Sequence, residues 1–188
     1  MKDVIVFDIE TKNTFADVGG AHNIDRLETS FVGVYSYQQD KYLSFFEEDF
    51  PQLGPIFQNA GMVIGFATKR FDLPVMRKYF NFNIMALNNL DLLEVIEAAY
   101  GSRIGLDILA QTNLGVGKTG HGLDAIRYWE EGKLKELQEY CLQDVKVTKM
   151  LYDFIKKNGY VAIPKKYTNE IVRVPLVLPS FEVKASLF

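Results

Sequence analysis

The chain has very little cysteine, no surplus of positive charge, and no long apolar run. Cys141 is its only cysteine in 188 residues, which excludes an intramolecular disulfide framework and fits a reducing compartment. On its own this residue reads as a small packed side chain on a helix. A formal net charge of -3 excludes a broadly basic surface that coats nucleic acid, although a nuclease with an acidic centre and local substrate contacts remains compatible. No apolar run approaches the length of a membrane span, and the first residues pass straight into a strand pattern with acids after it. The expectation is a cytoplasmic, soluble chain with no signal peptide and no membrane association. Internal repeats and low-complexity stretches are also absent.

What is present is an ordinary globular composition, 48% apolar and 24% charged, in a length that suits one domain with a sizeable core. The stretch Val4-Ile5-Val6-Phe7-Asp8-Ile9-Glu10 organises the rest. Its β-branched and aromatic residues predict a buried central strand, and the strand ends in two carboxylates. Alternation puts Asp8 and Glu10 on the same side, roughly 6.5–7 Å apart along the backbone. Two neighbouring acids at the end of a buried strand are costly unless a cation lies between them, and a hard divalent ion is the economical answer. Solvated acids opening a loop are the alternative.

Along the chain, residues 11–28 read as a polar loop, and 31–37 and 41–46 as two strands of an antiparallel meander. A short helix with Pro51 and Pro55 follows over 50–60. Residues 61–66 form a continuously apolar strand of the kind buried on both faces, and 71–80 suit a helix with Pro74 in its first turn. From Asp91 the pattern is helical: 91–100, 105–112, 123–129 and a long helix over 133–157 that Gly159 ends. The tail from Tyr160 is punctuated by Pro164, Pro175 and Pro179 and reads as extended chain, packed on the domain or reaching a partner. The sum predicts a mixed α/β sheet of about five strands with helices on its faces.

Further acids stand at places that matter. Asp72 follows the apolar strand at a helix start, where it would share the sheet end of Asp8 if the first and fourth strands are parallel; a first-turn acid is the plainer reading. Tyr140 and Asp144 are spaced i, i+4 on one face of the long helix, about 6 Å apart along its axis. Taken singly, they read as a packed aromatic and a solvated acid.

Together, Asp8-x-Glu10 after a first strand, Asp72 after Gly65-Phe66-x(4)-Phe71, and Tyr140-x(3)-Asp144 on a late helix resemble the DEDD 3′–5′ exonuclease family. The match is to its tyrosine-bearing branch, within the ribonuclease-H-like superfamily. Gly120-His121-Gly122-Leu123-Asp124-Ala125-Ile126 is also similar to members of that group. The resemblance covers residues 1–158, implying a ribonuclease-H-like α/β domain with a five- to six-stranded sheet and leaving 159–188 as a C-terminal tail. It implies hydrolysis of phosphodiester bonds at single-stranded DNA or RNA ends by two divalent ions, Mg²⁺ or Mn²⁺. In that scheme Asp8, Glu10, Asp72 and Asp144 hold the metal ions, Asp8 bridging both and Asp72 serving the second. Tyr140 orients the attacking water, and Ile9 and Thr11 line the terminal nucleotide; Phe71, beside Asp72, either stacks on a base or is a plain core aromatic. Lys69 and Arg70 stand where strand phosphates could be met, or are plain surface charges. A repair, replication or RNA-processing assembly is an expected partner.

Two departures accompany the resemblance. Ala67 stands where similar sequences commonly carry Asn, and His121 has Ile126 where the histidine branch expects Asp. Gly117-Lys118-Thr119 lacks the glycine and strand of a phosphate-binding P-loop, leaving Lys118 as a loop cation. An aspartyl-nucleophile phosphatase would carry Asp-x-Asp rather than Asp-x-Glu. A binding module that keeps the fold without effective catalysis is the rival of another class.

Overall fold

The computed structural model describes residues 2–117, 122–168 and 170–179. Five strands, β1 (Asp3–Thr11), β2 (Thr29–Ser36), β3 (Lys41–Phe45), β4 (Ala60–Gly65) and β5 (Asn89–Asp91), form one sheet of order β3-β2-β1-β4-β5. The first three make the antiparallel meander, whereas β4 and β5 join parallel to β1. The chain is thus an α/β fold of ribonuclease-H-like architecture. Because β1 and β4 are parallel, the acids that follow them emerge at the same end of the sheet.

The strand β1 is central because it can be buried on both faces. Ile5, Phe7 and Ile9 pack into one core layer with Leu53 and Phe57 of α1 (Phe50–Asn59) and Leu73, Val75 and Met76 of α2 (Asp72–Met76). Val6 and Ile64 face the other layer. There they meet α3 (Leu92–Tyr100), α4 (Leu106–Leu114) and α6 (Leu134–Asn158), the last preceded by α5 (Gly122–Glu130). By alternation Asp8 and Glu10 share the side of Val6, the side that α6 covers.

Gly33 sets how closely α6 can lie on the sheet. It pairs with Asp8 across β1 and β2, and a Cβ built on it would meet Val145 Cγ2 at 3.0 Å, Leu142 Cδ2 at 3.1 Å and Cys141 Sγ at 3.2 Å. The helix therefore rests on backbone at the position beside the first acid.

Several boundaries differ from the sequence reading. The loop 11–28 contains a 3-10 turn, Ala21–Arg26, and the expected helix over 71–80 stops at Met76, continuing as a 3-10 turn, Arg77–Tyr79. The expected helix over 91–100 is α3 with Asp91 as its N-cap, the carboxylate accepting from Glu94 N–H at 3.3 Å, but Asp91 also closes β5, which the sequence reading lacks. A three-residue strand carries too little periodicity to be read in advance. Gly159 does end α6, in the left-handed conformation at φ 72°.

The described part of the tail is a hairpin, β6 (Tyr160–Pro164) with β7 (Ile171–Pro175). It packs on the helical layer through Val161, Ile163, Val174 and Leu176. Asn113 fastens it, donating to Ala162 O at 2.8 Å and accepting from Ala162 N–H at 2.7 Å. Residues 180–188 of the expected tail, with Lys118, Thr119 and His121, lie outside the described residues.

Replacing Gly33 with Val would push α6 away from β1. The variant is expected to lose about 1–3 kcal/mol of stability, read from the midpoint of a urea transition.

Candidate metal centre and adjoining pocket

The acids approach one another because three elements end or pass at one edge of the sheet. Asp8 and Glu10 lie near the end of β1, where the pairing with β2 shifts register between Glu10 and Thr11. Such an irregularity re-aims side chains at the rim of a sheet. From the helical layer, α6 brings Tyr140, Cys141 and Asp144, all buried. Ligating atoms of Asp8, Glu10 and Cys141 lie within 4.8 Å of one another. The Cys141 thiol donates to the Asp8 carbonyl at 3.4 Å and lies 3.7 Å from Asp8 Oδ2.

Burial and the negative charges of Asp8, Glu10 and Asp144 hold the Cys141 thiol well above its ordinary pKa. It is therefore a neutral S–H donor rather than a thiolate ligand. Sequence reasoning gave it only a packing role, and nothing in the local pattern signals its contact with Asp8. Asp144 follows Cys141 by three residues on α6, and its charge acts on the same thiol. Tyr140 packs with Phe31, Ala125, Leu137 and Cys141 one helical turn before Asp144.

Asp72 reaches this group from α2. It is almost fully buried, and burial is the main reason its pKa rises to about 7. The charge of Asp91 raises it further, while backbone hydrogen bonds from Asp72 itself and from Ile9 oppose the rise. The bond to the Ile9 backbone places Asp72 at β1 between the two first acids in sequence. Among the described residues the ligating atoms that cluster are those of Asp8, Glu10 and Cys141; Asp72 lies against the β1 backbone at Ile9 and Asp144 follows Cys141 along α6, both carboxylates outside that cluster. This donor set suits a hard divalent cation, which would hold in ionised form a carboxylate that burial alone drives towards neutrality.

The loop before Asp72 is tight. Ala67 sits at φ 69°, in the left-handed region, and its carbonyl accepts from Arg70 N–H and Phe71 N–H, both at 3.1 Å. A residue with a Cβ costs roughly 1–2 kcal/mol there, and Asn is favoured on backbone grounds alone. The position at which Ala67 departs from similar sequences is therefore a conformational one. Lys69 and Arg70 pair with Glu94 and Glu97 of α3, the second pair at 3.2 Å, so both cations already have carboxylate partners.

Beside Glu10 opens a pocket of about 370 Å³. Ile9, Thr11 and Phe71, expected from the sequence, line it, together with Phe15, Leu123 and Ile126, which were not expected. Phe15 meets Phe71 edge to face, with ring centroids 5.9 Å apart, and Leu123 is 70% exposed. Phe15 belongs to a stretch that reads as polar loop, and Leu123 and Ile126 belong to the stretch 120–126 that resembles the exonuclease group without a role assigned to either side chain. Only the folded arrangement puts them on one wall.

These features define an α/β sheet whose central strand ends in an acid cluster covered by a C-terminal helix. A family model described as the RNase H superfamily matches residues 5–156, and the chain belongs to that superfamily. Its fold is similar to that of the family B DNA polymerase from the hyperthermophilic archaeon Pyrobaculum calidifontis. The two superpose with a TM-score of 0.63 at 16% identity, over 83% of this chain and 25% of that one. The chain thus spans about a quarter of that polymerase's length, and the likeness is one of fold. No curated protein sequence matches the chain significantly. Among the described residues, no helix is long and apolar enough to cross a membrane.

The raised pKa of Asp72 carries a sign for stability. In the unfolded chain this carboxyl ionises near pH 4, but in the fold it holds its proton to about pH 7. The folded state binds more protons in that window, so stability falls as pH rises through it. Asp72→Asn is expected to stabilise the metal-free protein at pH 8 by on the order of 1–3 kcal/mol and to change little at pH 4. Thermal melts in EDTA check this, and Mg²⁺ should narrow the difference at pH 8 by stabilising the wild type more than the variant.

Proposed function

We propose that this protein is a metal-dependent 3′–5′ exonuclease that hydrolyses phosphodiester bonds at single-stranded DNA or RNA ends. One observation carries the reading: the carboxylates of Asp8 and Glu10 cluster near the end of β1, and Glu10 borders a pocket with aromatic and aliphatic walls. Two bound divalent ions, Mg²⁺ or Mn²⁺, would neutralise charge on the entering and leaving oxygens of an in-line displacement. Asp8, Glu10 and Asp144 would hold the first ion, Asp8 would be shared with the second, and Asp72 would complete the second.

The chain's own side chains divide the remaining work. Tyr140, whose hydroxyl belongs to a group with an unperturbed pKa of about 10, orients the attacking water rather than removing its proton. Ile9, Thr11 and Phe71 form the floor and wall on which the terminal nucleotide rests. Phe15 and Phe71 offer ring faces and edges to its base without reading its identity, since every base has a π-face. The pocket against Glu10 supports the seating of a strand end there, and the 3′–5′ direction is what the family resemblance implies. A nucleic-acid-processing partner, in repair, replication or RNA processing, would deliver such ends. Retention of all four acids and Tyr140 favours catalysis over a binding-only role, because an unused carboxylate cluster is a cost to the fold.

The test is digestion of 5′-labelled single-stranded DNA and RNA with Mg²⁺, Mn²⁺ or EDTA. A ladder shortening from the 3′ end, dependent on metal and absent in Asp8→Ala, is expected. Binding of both strands without cleavage would instead establish the non-catalytic module. In the same assay Tyr140→Phe should lower the rate about tenfold or more while leaving Mn²⁺ affinity unchanged; an unchanged rate would remove the hydroxyl from the mechanism.

A further inference from the structure

We infer that Asp91 is a positioning residue for the acid site: its buried carboxylate clamps the loop that presents Asp72 to the second cation. The inference rests on the metal-dependent reading above. Asp91 is 2% exposed and stands at the end of β5, opposite Gly65 of β4 in register. Its Oδ1 accepts from Ala67 N–H at 3.0 Å, and its Oδ2 accepts from Lys69 N–H at 3.0 Å. Oδ1 also accepts the Glu94 N–H that begins α3. A helix cap needs only the last of these bonds. The other two go to the loop between β4 and Asp72, one to the strained residue Ala67 and one to the residue three before Asp72.

A second tether in the same loop agrees with this role. The buried Thr68 hydroxyl donates to Asn89 Oδ1 at 3.1 Å, so the loop is fastened to both ends of β5. Gly65 leaves the space this needs, because a Cβ there would fall 2.1 Å from Thr68 Cγ2. Asp91 therefore holds a short, left-handed turn against the sheet and fixes where α2 starts. Since Asp72 is the first residue of α2, a shift of the turn moves its carboxylate directly. Charged partners that orient a ligand typically govern metal affinity by about 10–100-fold.

Asp91→Ser separates clamping from capping. Serine is as good a helix cap as aspartate, but it carries one acceptor on a shorter side chain and cannot serve Ala67, Lys69 and Glu94 together. Calorimetric titration of Mn²⁺ into the full chain should show the weaker of two sites lost by about tenfold or more in the variant, with the tighter site unchanged. Hydrolysis of a labelled oligonucleotide should need correspondingly more Mn²⁺, with KM for the strand unaltered and kcat recovered at high metal. Circular dichroism should show the fold retained. Asp91→Asn, which keeps the size of the side chain but turns an amide towards Lys69 N–H, gives the same selective loss and stands in should the serine variant not fold.

Wild-type titration curves in a folded variant would overturn the inference, and so would equal loss of both sites. If the wild type itself binds no Mn²⁺ and cleaves nothing, the metal-dependent reading fails, a result distinct from failure of the clamp alone.

Discussion

The seating of α6 on Gly33 is the contact on which the rest of the site depends. A glycine beside Asp8 lets Cys141, Leu142 and Val145 come down onto the backbone of β2. That approach brings the Cys141 thiol within hydrogen-bonding reach of Asp8 and carries Tyr140 and Asp144 to the same edge. With any larger residue at position 33, the helix would still cover the apolar layer, but its polar residues would stand further from β1. A packing contact, not an electrostatic attraction, thus assembles groups that repel one another.

That repulsion is the opposing force in the structure. The apolar layers on both faces of β1 hold the acids near one another, and burial pushes Asp72 towards its neutral form. Local devices soften the cost. The neutral thiol donates to Asp8, and backbone hydrogen bonds reach Asp72 from its own amide and from Ile9. What remains is a group of acids whose mutual repulsion a bound cation would relieve.

Much of the fold was legible because its signals are local and periodic. The apolar run of β1, the continuous apolar strand β4, the long stripe of α6 and the glycine after it each declare themselves within a window of a few residues. The short strand β5 does not, because three residues define no period, and the sequence shows Asp91 only as a helix start. As candidates, the acids Asp8, Glu10, Asp72 and Asp144 and the aromatic Tyr140 were legible through order and spacing. Their companions were not: Cys141 at Asp8, Phe15 facing Phe71, and Leu123 and Ile126 on the pocket wall belong to segments far apart in the chain.

The sequence by itself determined most of the strands and helices and the side-chain chemistry on offer, since both are written in periodicity and in side-chain type. Tertiary structure alone decided which of those groups meet. The parallel pairing of β1 with β4 puts Asp72 at the end of the sheet where Asp8 and Glu10 emerge. Gly33 fixes the height of α6, and the left-handed turn at Ala67, held from β5, fixes the start of α2. Such relations depend on register, close approach and contacts between distant segments, and no local pattern of residues encodes them.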